Sequence, residues 1–270
     1  MKKIVTSCLL IFCIALSALM QSCGSVAITG RKQVLLFDSG QIASLSNDAY
    51  SEVMSTATLS KNTNMTKMVQ DVGFRLSQAV ISYMTQNGRG QQMAAYNWGF
   101  VCIDSKEVNA FCLPNGKVVA YEGIMPFAST ADRLAVVIGH EMGHVIANHG
   151  NERMSQETIV KMVGAAGDAV LSGKSEQTRA IFNTAFGLGT SLGVLMPYSR
   201  THEYEADRLG LIFMAMAGFD INQAPVFWEQ MSQNSGPKPP EFLSTHPSDA
   251  NRMARLRATI PEASQYAPRR

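Results

Sequence analysis

The segment His140-Glu141-Met142-Gly143-His144 combines residue types that can do chemistry at a spacing that lets them act together. On an α-helix, residues four apart lie about 40° apart on one face, so His140 and His144 can turn both imidazoles onto one ion. Glu141 projects about 100° away, which leaves its carboxylate to take a proton from water beside that ion instead of binding it. All five histidines of the chain fall between His140 and His246. A hydrolytic zinc site needs a third protein ligand and an open coordination position. The stretch Ser199-Arg-Thr-His-Glu-Tyr-Glu-Ala-Asp207 offers the ligand. Glu203 and Asp207 share a helix face, so Glu203 is expected to bind the metal while Asp207 accepts a hydrogen bond from a ligating imidazole, His140. Glu205 falls on the opposite face.

The elements that must position these groups read as mostly helical. The apolar run Leu134-Ala-Val-Val-Ile-Gly139 predicts a buried helix, capped at Thr130 and running to about His149, and Gly143 is expected to clear space beside the metal. Apolar residues at helical spacing predict helices over 41–57 and 65–84. Alternation predicts strands at Trp98–Ile103, Asn109–Leu113 and Lys117–Tyr121, the last two joined by the turn Pro114-Asn115-Gly116. Further helices are expected at about 155–172, 177–195, 199–217, 222–234 and 247–259. Gly218 ends one of them, and Gly236-Pro-Lys-Pro-Pro240 reads as a rigid extended loop. The apolar, Gly-rich stretch 180–196 is expected to pack as a helix against the core instead of spanning a membrane. The fold class is α+β, predominantly α-helical, with a small three-stranded sheet.

His-Glu-x-x-His followed some 60 residues later by Glu-x-x-x-Asp resembles the gluzincin pattern. More specifically it resembles the HtpX-like and CAAX-prenyl-protease-like zinc metallopeptidases. Asn109-Ala-Phe-Cys-Leu-Pro-Asn-Gly116, His144-Val-Ile-Ala-Asn-His149, Ser199-Arg200 and Thr245-His-Pro-Ser-Asp-Ala-Asn-Arg252 match further stretches of that family, in order, over roughly residues 40–258. The resemblance implies a gluzincin-type metallopeptidase domain with one zinc on His140, His144 and Glu203, and Glu141 as general base. It implies that His246 either stabilises the oxyanion or completes the zinc shell as a resting latch. Arg252 is expected to tie that segment down by an ion pair, and His149 and His202 to play supporting roles. The strand containing Asn109, Ala110 and Phe111 is expected to be a sheet edge that takes an extended peptide by β-augmentation, which reads backbone and suits unfolded or misassembled proteins.

The first residues read as an address. Met1-Lys2-Lys3 precedes the apolar run Ile4 to Met20, and Met20-Gln21-Ser22-Cys23 resembles a bacterial lipobox. The expectation is a signal peptide over 1–22, lipidation at Cys23, a tether over 23–40 and the catalytic domain over 41–265. The resulting protein would be anchored in the cell envelope, at the outer membrane facing the periplasm. In that oxidising compartment Cys102 and Cys112 would form a disulfide or stand as two thiols on neighbouring strands. Without residues 1–22, whose only charges are Lys2 and Lys3, basic and acidic groups are equal in number. That balance argues against a nucleic-acid partner. The function expected is cleavage of misfolded or unassembled envelope proteins. The alternative is a non-proteolytic chaperone or assembly factor for outer-membrane proteins, which would have no use for a base at Glu141.

Overall fold

In a computed structural model, the structure describes residues 23–164, 176–185, 199–233, 240–246 and 250–268. The chain opens with a two-stranded antiparallel hairpin, β1 (Cys23–Ser25) and β2 (Lys32–Val34), with Cys23 opposite Val34. Helices α1 (Ser39–Thr56) and α2 (Thr63–Gln86) follow. Asp38 caps the first through a capping box with Gln41, and Asn62 caps the second, each supplying an acceptor for otherwise orphaned backbone donors. A short helix α3 (Gly90–Met93) leads to the strands β3 (Gly99–Ile103), β4 (Ala110–Cys112) and β5 (Lys117–Tyr121).

The rest of the described chain is helical: α4 (Ala131–Ile146), α5 (His149–Gly164), α6 (Glu176–Ala185), α7 (Arg200–Met216), α8 (Gln223–Gln233), α9 (Glu241–Thr245) and α10 (Ala250–Ala263). Thr130 and Ser199 cap α4 and α7. The core joins Val69, Val72, Leu76 and Val80 of α2 to Leu134, Val137 and Ile138 of α4 and to Leu209, Ile212 and Phe213 of α7, all buried. Burial of that kind stabilises by roughly 1.5–3 kcal/mol per side chain before entropy is counted. Helices α4 and α7 touch backbone to backbone. A Cβ on Gly143 would stand 2.7 Å from the carbonyl oxygen of Ala206, and one on Gly210 would stand 3.0 Å from the amide nitrogen of His140. Gly143 therefore serves helix approach, not space beside the metal as expected from sequence.

The sheet order is β3-β5-β4, with β3 parallel and β4 antiparallel to β5. This overturns both alternatives for Cys102 and Cys112, the disulfide and the pair of thiols on neighbouring strands. Cys102 faces Ala120 and Cys112 faces Val118, so β5 lies between them. Two strand spacings total about 9–10 Å, beyond the roughly 7 Å that a bridge tolerates between Cα atoms. Both thiols are free and buried, and they do not sit on neighbouring strands.

The expected tether over 23–40 is also folded. Val26 is buried, the Leu36 N–H donates to Ser155 Oγ at 2.8 Å, and the Asn151 side chain donates to the Phe37 carbonyl at 2.9 Å. The expected signal peptide, residues 165–172, residues 186–196 of the apolar stretch and Gly236–Pro239 lie outside the described residues. Among the described residues, no helix is long and apolar enough to cross a membrane.

Candidate metal centre

Helix α4 presents His140 and His144 on one face, and α7 faces it with Glu203 and Asp207. The residue after α9 adds His246. All five side chains are buried. One donor atom from each of His140, His144, Glu203 and His246 lies within 4.8 Å of the others. His140 Nε2 stands 3.1 Å from His144 Nε2 and 3.1 Å from His246 Nδ1. Glu203 places one oxygen 3.4 Å from His140 Nε2 and the other 3.3 Å from His144 Nε2 and 3.2 Å from His246 Nδ1. Ligand atoms at about 2.0–2.1 Å from a tetrahedral zinc are about 3.3–3.4 Å apart, so these separations fit the edges of such a shell. Glu203 Oε2 makes no well-formed hydrogen bond despite its burial, its cationic neighbour being Arg252 Nη1 at 3.2 Å, and the convergence of two imidazoles and a carboxylate on one point suits a cation.

The surrounding groups hold the ligands. Asp207 accepts from His140 Nδ1 at 2.9 Å, which aims Nε2 at the donor set. Arg252, 1 % exposed, grips Asp207 with Nε at 2.7 Å and Nη2 at 2.8 Å. Its Nη1 reaches Glu203 at 3.2 Å and donates to the His246 carbonyl at 3.1 Å. The guanidinium lies 3.5 Å from the Trp228 ring centroid, a cation–π contact. Arg252 thus binds both carboxylates and the His246 backbone, and makes no use of an exposed face.

The electrostatics follow from burial and pairing. Burial pulls His140 down, but hydrogen bonds to Asp207 and Glu203 outweigh it and raise the group to about 9. Burial dominates at His144, which is held well below the ordinary imidazole value. Burial also opposes charge on Glu203, yet His246, Arg252 and the other two imidazoles keep it well below the usual carboxylate range. Glu141 goes the other way. Burial raises it, while His246, His140 and a hydrogen bond from the Cys112 backbone pull back. A buried carboxyl with a raised pKa can hold a proton between abstraction and delivery.

Residues 54–260 match Peptidase family M48. The chain belongs to this family. It is 31 % identical over 255 residues to metalloendopeptidase OMA1, mitochondrial, of Bos taurus, covering 87 % of this chain and 46 % of that protein. It is 32 % identical over 221 residues to mitochondrial metalloendopeptidase OMA1 of Schizosaccharomyces pombe, covering 81 % and 61 %. It is 28 % identical over 211 residues to the β-barrel assembly-enhancing protease of Escherichia coli, covering 76 % and 41 %. The chain spans about half the length of these relatives.

In this M48 chain, His246 stands among the donors. Its Nδ1 faces His140 and Glu203, and its Nε2 lies 3.2 Å from Glu141 Oε1. With both nitrogens so placed, the imidazole cannot serve an oxyanion without moving. Strand β4 lies at the sheet edge. Asn109 and Leu113 make the ladder bonds to β5, so the N–H groups of Ala110 and Cys112 point off the open side. The Ala110 N–H is met by the Asn109 side chain at 2.9 Å, and Cys112 bonds Glu141. Phe111 stands between them on β4. Cys23 begins β1.

Proposed function

We propose that the chain is a zinc-dependent endopeptidase that cleaves misfolded or unassembled proteins of the bacterial cell envelope. The observation that carries the activity is the buried set His140, His144 and Glu203 with Glu141 beside it. Family membership and relatives named as metalloendopeptidases support it. Zinc held by the three ligands would supply Lewis acidity toward water and the scissile carbonyl. Glu141 takes the proton of the attacking water and hands it to the leaving amine. Asp207 and Arg252 keep His140 in one tautomer and orientation. His246 would be a fourth ligand to a bound zinc in this conformation, and a catalytic zinc needs an open position. His246 would then act as a resting latch that substrate or water must displace.

The edge position of β4 supports extended, unfolded substrates. An extended peptide would add along this edge by exchanging the present partners of the outward Ala110 and Cys112 N–H groups, the Asn109 side chain and Glu141, for its own backbone, which does not depend on side chains. The apolar run before Cys23, together with a relative named for β-barrel assembly, supports an envelope location with an acyl anchor at Cys23, at the outer membrane facing the periplasm.

The test is cleavage of an unfolded protein by the zinc-loaded chain beside Glu141→Gln. Cleavage by the wild type and a fall of about 10²–10⁴-fold in the variant, with zinc retained by both, is the expected result. Equal cleavage by both proteins would falsify the assignment of Glu141.

A further inference from the structure

Behind His144 lies a second buried cluster that the peptidase chemistry does not use. Helix α4 ends at Ile146, and Asn148, at φ 55°, turns the chain so that α5 begins at His149. His149 Nδ1 comes within 2.9 Å of His144 Nδ1, and its Nε2 within 2.9 Å of Glu205 Oε2. Glu205 in turn receives Arg31 Nε at 2.5 Å and the Thr29 hydroxyl. Arg31 also forks onto Glu152, with Nη1 at 2.9 Å and Nη2 at 2.6 Å. His202 contacts Glu152 at 3.2 Å and stacks on His149 with ring centroids 4.4 Å apart.

One proton arrangement fits the chain of contacts. His144 turns Nε2 to the donor set, so its ring proton sits on Nδ1 and is donated to His149 Nδ1. His149 then carries its own proton on Nε2 and donates it to Glu205. The result mirrors the other ligand. His140 ends on Asp207, which Arg252 holds from α10. His144 ends through His149 on Glu205, which Arg31 holds from the turn between β1 and β2.

We infer that His149 and Glu205, clamped by Arg31, form a positioning relay that fixes the tautomer and direction of the ligand His144, so that the N-terminal hairpin is part of the metal centre's support. The inference rests on His140, His144 and Glu203 being a metal site. A merely structural cluster would stabilise the fold without governing how fast the metal leaves.

The experiment follows release of zinc from the full protein to a chromophoric chelator, and the visible spectrum of the cobalt-substituted form. His149→Phe keeps a buried ring and removes both polar atoms. It is expected to speed zinc release about 10–100-fold and to shift the cobalt bands. Arg31→Ala is expected to speed release by a smaller factor, with Arg31→Lys intermediate between it and the wild type. Arg75→Ala, which frees the far end of α7 by removing the Arg75 hydrogen bonds to the Ala217 and Gly218 carbonyls, is the control for general loosening. It should leave release and spectrum unchanged. If His149→Phe does not fold, the Arg31 pair decides by the same criteria. Wild-type release in the folded relay variants, or equal acceleration in Arg75→Ala, overturns the relay alone. A wild type that holds no zinc overturns the metal site and the relay together.

Discussion

At the scale of single residues, the metal centre was open to sequence because its members obey helical spacing. His140 and His144, and Glu203 and Asp207, are two i, i+4 pairs, and two helices laid face to face bring them together. The role of His246 follows from no such rule, since it ends a short helix and only the fold brings it into the donor set. Substituting His246→Ala should raise cleavage of an unfolded substrate at saturating zinc while weakening zinc affinity. A loss of cleavage with zinc still bound would instead assign His246 a part in the reaction. The proton on His140 gives a second expectation. With its pKa raised to about 9, the metal-free ring is cationic at neutral pH and must give up that proton to bind metal. Zinc affinity should therefore rise with pH, by about tenfold per unit between roughly pH 6.5 and 8.5, in competition titrations. A flat profile would show that the ring is already neutral. His149 was the residue whose position was hardest to foresee, because it reaches His144 only through the left-handed turn at Asn148.

At the scale of elements, periodicity located the helices, while pairing escaped it. Turn signals show where the chain reverses, but not which strand a segment will meet. The strands that carry Cys102 and Cys112 therefore read as neighbours, yet β5 pairs between β3 and β4. The hairpin β1–β2 was missed because its strands are three residues long and largely polar. The only signal was Val26 and Val34 placed about Thr29-Gly30. The backbone contact of α4 with α7 makes a sharp prediction. Gly143→Ala would press a methyl group against the Ala206 carbonyl, which cannot swing aside as a side chain could. We expect a loss of about 1–3 kcal/mol in urea denaturation and weaker zinc binding, because α7 carries Glu203. An unchanged midpoint would mean that the helices separate freely. The hairpin's ion pairs predict acid sensitivity. Burial opposes ionisation of Glu152 and Glu205, but their partners prevail and lower each to about 2. Carboxylates lowered on folding contribute stability above their ordinary value near 4.5 and lose it as pH falls toward 2. Denaturation midpoints should drop over that window, and drop less in Arg31→Ala, which has already lost the pairing.

At the scale of the whole molecule, the ligands come from α4, α7 and the end of α9, so metal should tie together parts of the chain far apart in sequence. Chelation should lower the thermal midpoint, and added zinc should restore it, rising with the logarithm of its concentration over the dissociation constant. A midpoint indifferent to chelator would argue that the donors hold no ion. The proposed anchor is tested by growth with radiolabelled palmitate, which should mark the wild type and not Cys23→Ser. The first strand adds a consequence for any such anchor. Cys23 already pairs with Val34, and the chain that follows is fastened to α5 at Leu36 and Phe37. An acyl group there would be attached to the folded body with no slack between them. The metal centre would ride at a fixed height over the lipid surface, and its working radius would be little more than the width of the domain. Its substrates would have to come to the bilayer.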